Sequence, residues 1–384
     1  MLRSTDRILV THQGTLPRPA DIREMLIAQT SGQAIDQAAF QRRVTAAVAE
    51  GVKQQAATGI DCVNDGELGK TTFNDYVRER LGGLAPTDEP YVSHISGRDL
   101  KEFPEYFAGP DAFGGRPRGG IRRVVWACTG PITYTGQALI QRDIDNLKAA
   151  LQGVDVPEAY LPAIAPGSVE HWLRNGYYKS DEEYLFALAD ALRVEYKAII
   201  DAGFIVQIDD PDLADGWQVN PSLTKDEYRR YAAIRVEALN HALRDLPEDR
   251  VRFHVCWGSY HGPHKFDIPL ADIVDLILNI KAQAYSIEAS NPAHDHDWHV
   301  WEDVKLPAGK ILVPGVIGHC SDFIEHPQLV ADRLVRYAKL VGRENVIAGT
   351  DCGIGSRVGH GKVCWAKFES MVEGARIASK ALWG

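Results

Sequence analysis

Sulfur is scarce in this chain, which has six cysteines and three methionines in 384 residues. The cysteines, at 62, 128, 256, 320, 352 and 364, are too few and too scattered to frame a disulfide scaffold. A reducing, cytoplasmic setting is therefore expected. No apolar run approaches the roughly 18–20 residues that cross a bilayer. The opening "MLRSTDRILVTHQG" has no signal-peptide hydrophobic stretch. Long basic runs are also missing, and the charges sum to 42 − 52 = −10. Neither nucleic acid nor a membrane is an expected partner. Internal repeats and linkers are absent, so one domain is expected over 1–384.

What is present is an alternation of short β-rich runs and long amphipathic stretches. Strands are predicted at 7–12, 59–65, 122–130, 204–211, 251–257, 284–290, 310–318 and 345–353. Helical patterns fall between most of them, such as 38–59 and 180–203. Ser180 has Glu183 three residues on, a helix-start arrangement, and Gly203 is a stop. Eight strands alternating with helices predict an α/β fold, a (β/α)8 TIM barrel. Two stretches break the rhythm. Residues 82–121 are rich in Gly and Pro, and 152–179 contain "AYLPAIAPGSVEHW", whose Pro162 and Pro166 argue against a central strand. Both are expected to be insertions on the functional rim.

The C-terminal ends of barrel strands converge on one mouth, and here they carry polar residues. "FHVCWGSY" holds His254 and Cys256 at i, i+2, a spacing that points both side chains to one side of a strand. Zinc takes imidazole and thiolate. Cys352 closes the eighth strand in "TDCG", and Glu288 closes the sixth in "YSIEAS". His254, Cys256, Glu288 and Cys352 thus form a candidate zinc set at three strand ends. Two thiolates and a carboxylate outweigh the charge of the dication. Such a site suits a bound, nucleophilic thiolate better than water activation. His319, at the seventh strand end, is the candidate acid for a leaving group.

"HVC", "SIEAS", "DCG", "QIDDP", "DGE" and "TGP", in this sequence, resemble the catalytic domain of cobalamin-independent methionine synthase. The likeness spans almost the whole chain. It is closer still to the single-domain group that includes epoxyalkane:coenzyme M transferase. The resemblance implies that His254, Cys256, Glu288 and Cys352 are zinc ligands. It also implies that Glu67 and Asp209 hold the amino group of homocysteine, and that Thr15 of "GTLP" holds its carboxylate. Two departures stand out. The family's pterin-stacking tryptophan has no counterpart near Gln137, where Tyr134 is the nearby aromatic. The family's catalytic histidine aligns with Cys320, one residue after His319.

The expected function is a zinc-dependent S-alkyltransferase, a methyltransferase acting on a small thiol such as homocysteine. Its partners would be that thiol and a methyl or alkyl donor, with homo-oligomerisation left open. One rival adds coenzyme M or another thiol to an epoxide, with Arg18, Lys70 and Arg357 as cations for a sulfonate. Another is a non-catalytic zinc- or thiol-binding protein. The loop histidines His261, His264, His294, His296 and His299 are expected to hydrogen-bond or face solvent. Trp298 and Trp301 are expected in a polar lid, and Asp210 is expected to brace the turn at Pro211.

Overall fold

The computed structural model describes residues 1–73, 75–88, 97–109 and 125–384. Eight parallel strands ring a barrel: β1 (Leu9–Val10), β2 (Cys62–Val63), β3 (Glu158–Ile164), β4 (Ile205–Asp209), β5 (Val251–Val255), β6 (Ala284–Ile287), β7 (Ile311–Ile317) and β8 (Ile347–Thr350). They pair in the order β1-β8-β7-β6-β5-β4-β3-β2. A parallel bridge between Thr11 and Cys62 brings β1 back to β2. Helices Gln37–Thr58, Gln137–Ala150, Asp181–Asp201, Lys225–Ala242, Pro327–Val341 and Gly361–Trp383 pack outside. Their ends follow local chemistry. Ser180 Oγ accepts from Glu183 N at 3.1 Å, and Gly59 (φ 98°) closes the helix before β2.

The third barrel strand is not the stretch 122–130. Residues Val125–Tyr134 belong to a separate three-stranded sheet, pairing antiparallel with Leu81–Thr87 and parallel with Arg174–Asn175. Glu158–Ile164 takes the barrel position, so 152–179 is not a simple insertion. Pro162 is tolerated because β2 ends at the Val63–Ala159 pair. Lys70 Nζ donates to the Pro162 carbonyl at 2.7 Å. Pro166 sits in the first turn of helix Pro166–Trp172, where no N–H is needed. Of the stretch 82–121, residues 89–96 and 110–121 lie outside the described residues; 97–108 form two short helices.

The period-two alternation of the strands sorts the interior by height. Leu9, Ala284, Ile311, Val313 and Ile347 form an apolar cluster at the lower end, beside Cys62, Tyr160 and Ile205. Two residues further along β1, β2, β4 and β6 the side chains turn polar, at Thr11, Asn64, Gln207 and Ser286. Arg252 donates to Gln207 Oε1, Thr11 Oγ1 and the His12 carbonyl, with its guanidinium over the Tyr160 ring. The next level up, and the mouth above it, carry the reactive groups.

Candidate active site

Along β5, Val251, Phe253 and Val255 join the main core cluster, and Arg252, His254 and Cys256 alternate with them. The His254 ring and the sulfurs of Cys256 and Cys352 come together, their ligand atoms within 4.8 Å of one another. The two sulfurs are 3.6 Å apart, and Ser259 Oγ donates to Cys352 Sγ at 3.3 Å. His254 Nε2 is buried without a hydrogen-bond partner among the described residues. The Cys256 hydrogen bond pulls the Cys352 pKa well below that of a free thiol, against burial and with help from His254 and His319. Cys256 moves the opposite way, raised by Cys352 and by burial. A buried nitrogen without a partner beside two sulfurs is a donor set that fits zinc.

Glu288 does not join that trio. Glu288 N donates to the Val255 carbonyl at 3.2 Å, which sets it level with the loop after β5. Its Oε2 accepts from Trp257 N at 2.9 Å and its Oε1 from Asn291 Nδ2 at 3.1 Å. It belongs to an adjoining buried group with His319 and Asp351. Both ring nitrogens of His319 are buried and find no hydrogen-bond partner among the described residues. Burial disfavours its charge, but Cys320, Cys352 and Glu288 outweigh that and raise its pKa well above the ordinary value. Asp351 Oδ1 accepts from the backbone of Ala289 and Ser290, and its Oδ2 from Ser290 Oγ. It therefore ties the segment after Glu288 to the segment bearing Cys352. The sequence alone assigns Asp351 no role, although its place beside Cys352 in "TDCG" is a signal.

Glu67 and Asp209 both lie at this mouth. Asp209 pairs with His254 in the β4–β5 register, and Gln207 Nε2 donates to its Oδ1 at 2.7 Å. Burial pushes the Asp209 carboxyl up to about 7 against the pull of His254, with Glu67 and Cys352 adding to the rise. Glu67 has φ 53°, a left-handed conformation rare outside glycine. Its Oε1 accepts from Thr15 Oγ1 at 2.9 Å. Gly14 has a left-handed φ of 64°, and a Cβ there would fall 2.2 Å from that oxygen, so any other residue would be strained and would displace the Glu67 carboxylate. The Thr15 hydroxyl is thus engaged by Glu67 in this structure. Arg18 donates to the carbonyls of Glu67 and Lys70, and Lys70 to Pro162. Two of the cations considered for a sulfonate are spent on backbone.

The loop histidines divide. Asp267 Oδ2 meets His264 Nδ1 at 2.7 Å and His294 Nε2 at 2.9 Å, a third group of metal-ligating types. Every ring nitrogen is engaged, since His264 Nε2 reaches the Tyr260 carbonyl and His294 Nδ1 reaches Asp297. Burial opposes protonation, but the carboxylates prevail and raise His264 to about 9 and His294 to about 10. His294 stacks on Trp257 with centroids 4.0 Å apart, so this group braces the loop after Cys256. His296 and His299 are exposed, and His299 pairs with Glu302. The Tyr106 hydroxyl donates to the His261 carbonyl. The expected tryptophan lid is not formed: Trp301 is buried in the core, and Trp298 packs between His299 and Arg336. Asp210 is buried and accepts from Ser168 Oγ at 2.9 Å. The Gln137 amide folds back to the Tyr134 carbonyl, and the Tyr134 hydroxyl is taken by Glu195.

Residues 168–377 match the family described as the catalytic domain of cobalamin-independent synthase. A methionine synthase from Thermococcus kodakarensis is 23% identical over 372 residues, covering 96% of this chain and 93% of that protein. A 5-methyltetrahydropteroyltriglutamate–homocysteine methyltransferase from Acidithiobacillus ferrooxidans is 24% identical over 375 residues. That match covers 95% of this chain but 41% of the larger protein. Among solved structures, a B12-independent methionine synthase from a Shewanella species shares the fold. Its TM-score is 0.74 at 20% identity, covering 98% of this chain and 99% of that one.

Proposed function

This chain belongs to the cobalamin-independent synthase catalytic-domain family, and from that premise we propose that it methylates the sulfur of a small amino-acid thiol, with homocysteine the expected acceptor. One observation carries the reading: His254 Nε2, buried and without a partner, meets Cys256 and Cys352 at the barrel mouth. These three residues would hold zinc, with the Glu288 carboxylate in the adjoining group. Zinc bound there would supply the Lewis acidity that keeps a substrate thiol deprotonated at neutral pH.

The remaining work falls to the chain itself. Glu67 and Asp209 offer carboxylates to an ammonium group. A cation arriving beside Asp209, whose carboxyl titrates at about 7, would favour its charged form. The buried ring of His319 would give a proton to the leaving group of the donor. Displacement at the alkyl carbon then depends mainly on holding sulfur and carbon in line. The commitment of Arg18 and Lys70 to carbonyls weighs against a sulfonate thiol such as coenzyme M.

The test loads the protein with zinc, adds homocysteine, cysteine or coenzyme M, and follows proton release. Stoichiometric release with homocysteine, then a methylated product when a methyl donor is supplied, is expected. Release with coenzyme M alone would favour the electrophile-addition reading. Release without any turnover across donors would favour a binding protein.

A further inference from the structure

Gln13 lies just past β1, in the mouth, and is 2% exposed. Its amide orientation is not arbitrary. The backbone N–H of Thr350 can only donate, and it points at Gln13 Oε1 from 2.8 Å. Thr350 Oγ1 lies 2.5 Å from the same oxygen. The amide nitrogen is therefore the atom that meets Ser286 Oγ. Ser286 pairs with His254 in the β5–β6 register, and its Oγ lies 3.3 Å from His254 Nδ1. Gly349 leaves room for this crossing, because a Cβ there would sit 3.0 Å from Gln13 Nε2 and 2.7 Å from Val313 Cγ1.

We propose that Gln13 and Ser286 are positioning residues that hold the His254 ring so that Nε2 faces the sulfurs of Cys256 and Cys352. The inference rests on the zinc reading above and deepens it. A histidine that gives one nitrogen to a metal carries its proton on the other, and that N–H needs an acceptor. Ser286 Oγ has two lone pairs. The Gln13 amide takes one and leaves the other for Nδ1–H. Nε2 is then the ring atom free to coordinate, and it is the one without a partner among the described residues. The same amide bonds to Thr350, whose Oγ1 also lies 2.9 Å from the Cys352 carbonyl. One side chain thus links the histidine on β5 to the strand leading into Cys352. Neither residue is chemically reactive here, so residue type alone does not reveal the role.

The test is zinc affinity, measured by chelator competition on Gln13→Met, Ser286→Ala, Ser286→Thr and His254→Ala proteins. Thermal unfolding of each metal-free protein checks folding. Gln13→Met and Ser286→Ala should each weaken zinc by roughly 10–100-fold, the usual cost of losing an outer partner of a ligand histidine. Ser286→Thr keeps the hydroxyl and should keep the affinity. In a His254→Ala background, Gln13→Met should cause no further loss. The cobalt-loaded Gln13→Met protein should also show a visible spectrum shifted toward that of His254→Ala. Unchanged affinity in both removal variants, or an equal loss with and without His254, would overturn the proposal. A wild-type protein that fails to retain zinc would overturn the zinc reading itself and the relay with it, so the wild-type titration separates the two failures.

Discussion

Cys256 Sγ and Cys352 Sγ lie 3.6 Å apart although 96 residues separate them in the chain. One leaves β5 and the other leaves β8, and both turn inward above a lower interior layer that is apolar. Contact at that distance between a buried and a half-buried cysteine, with opposite shifts in acidity, is an arrangement that a shared cation would stabilise.

Metal content follows from that contact. Purified protein should carry about one zinc per chain by elemental analysis, the count expected of a single centre of this donor type. Cys256→Ser or Cys352→Ser should lose most of it. The barrel core lies below these residues, so the metal-free variants should keep the wild-type circular dichroism spectrum. Full zinc retention in both variants would remove the site.

The mouth carboxylates make a separate prediction. Glu67→Gln and Asp209→Asn should raise the KM for homocysteine roughly 10–100-fold, since each removes a charge-assisted hydrogen bond worth about 1.5–3 kcal/mol. Zinc content should not change. Glu67→Gly should lose the same binding yet unfold no earlier than Glu67→Gln, because glycine accepts a φ of 53° without strain. Wild-type kinetics in both charge-removing variants would mean the acceptor has no ammonium group.

The Asp267 brace should leave a pH signature. Asp267 is held well below the usual carboxylate range: its burial is overcome by the His264 and His294 hydrogen bonds. Its contribution is present above the unfolded carboxyl value of about 3.9 and is lost as pH falls below it. His264 and His294 are raised to about 9 and about 10. Their contribution is full below the unfolded imidazole value of about 6.5 and fades as pH rises through 9 and 10. Asp267→Asn should therefore destabilise the protein at pH 5–7 by about 3–5 kcal/mol, the cost of breaking a buried charge pair. Denaturant unfolding should show that gap narrowing toward pH 10. A gap that is constant with pH would mean the histidines are not charged partners.

The donor side carries the last prediction. Without a tryptophan near Gln137, and with the Tyr134 hydroxyl held by Glu195, a pterin would lose a stacking partner worth about 0.5–1.5 kcal/mol. Methyl-folates should be used weakly and without regard to the length of a glutamate tail, and a smaller alkyl donor should turn over better. Steady-state rates across tail lengths check this. Saturation at low micromolar polyglutamyl methyl-folate would overturn it.

Much of this site is readable along the chain because strand geometry is local. In "VRFHVCW" the period of two already places Arg252, His254 and Cys256 on one side, and in "YSIEAS" it does the same for Ser286 and Glu288. Polar residues at strand ends then mark the mouth and single out His319, whereas Glu67 and Asp209 are implied by the family resemblance. Which strands join the barrel is a different matter. Residues 125–134 have the stronger strand pattern, yet Glu158–Ile164 is the barrel strand: Pro162 lies opposite Gln207 of β4, and on its other side β2 ends at the Val63–Ala159 pair, before the proline. The separation of Glu288 from the His254–Cys256–Cys352 trio depends on the backbone N–H of Trp257, and the place of Gln13 depends on the room left by Gly349. These outcomes rest on pairings and clearances between residues far apart in sequence, which only the closed barrel brings within reach of one another.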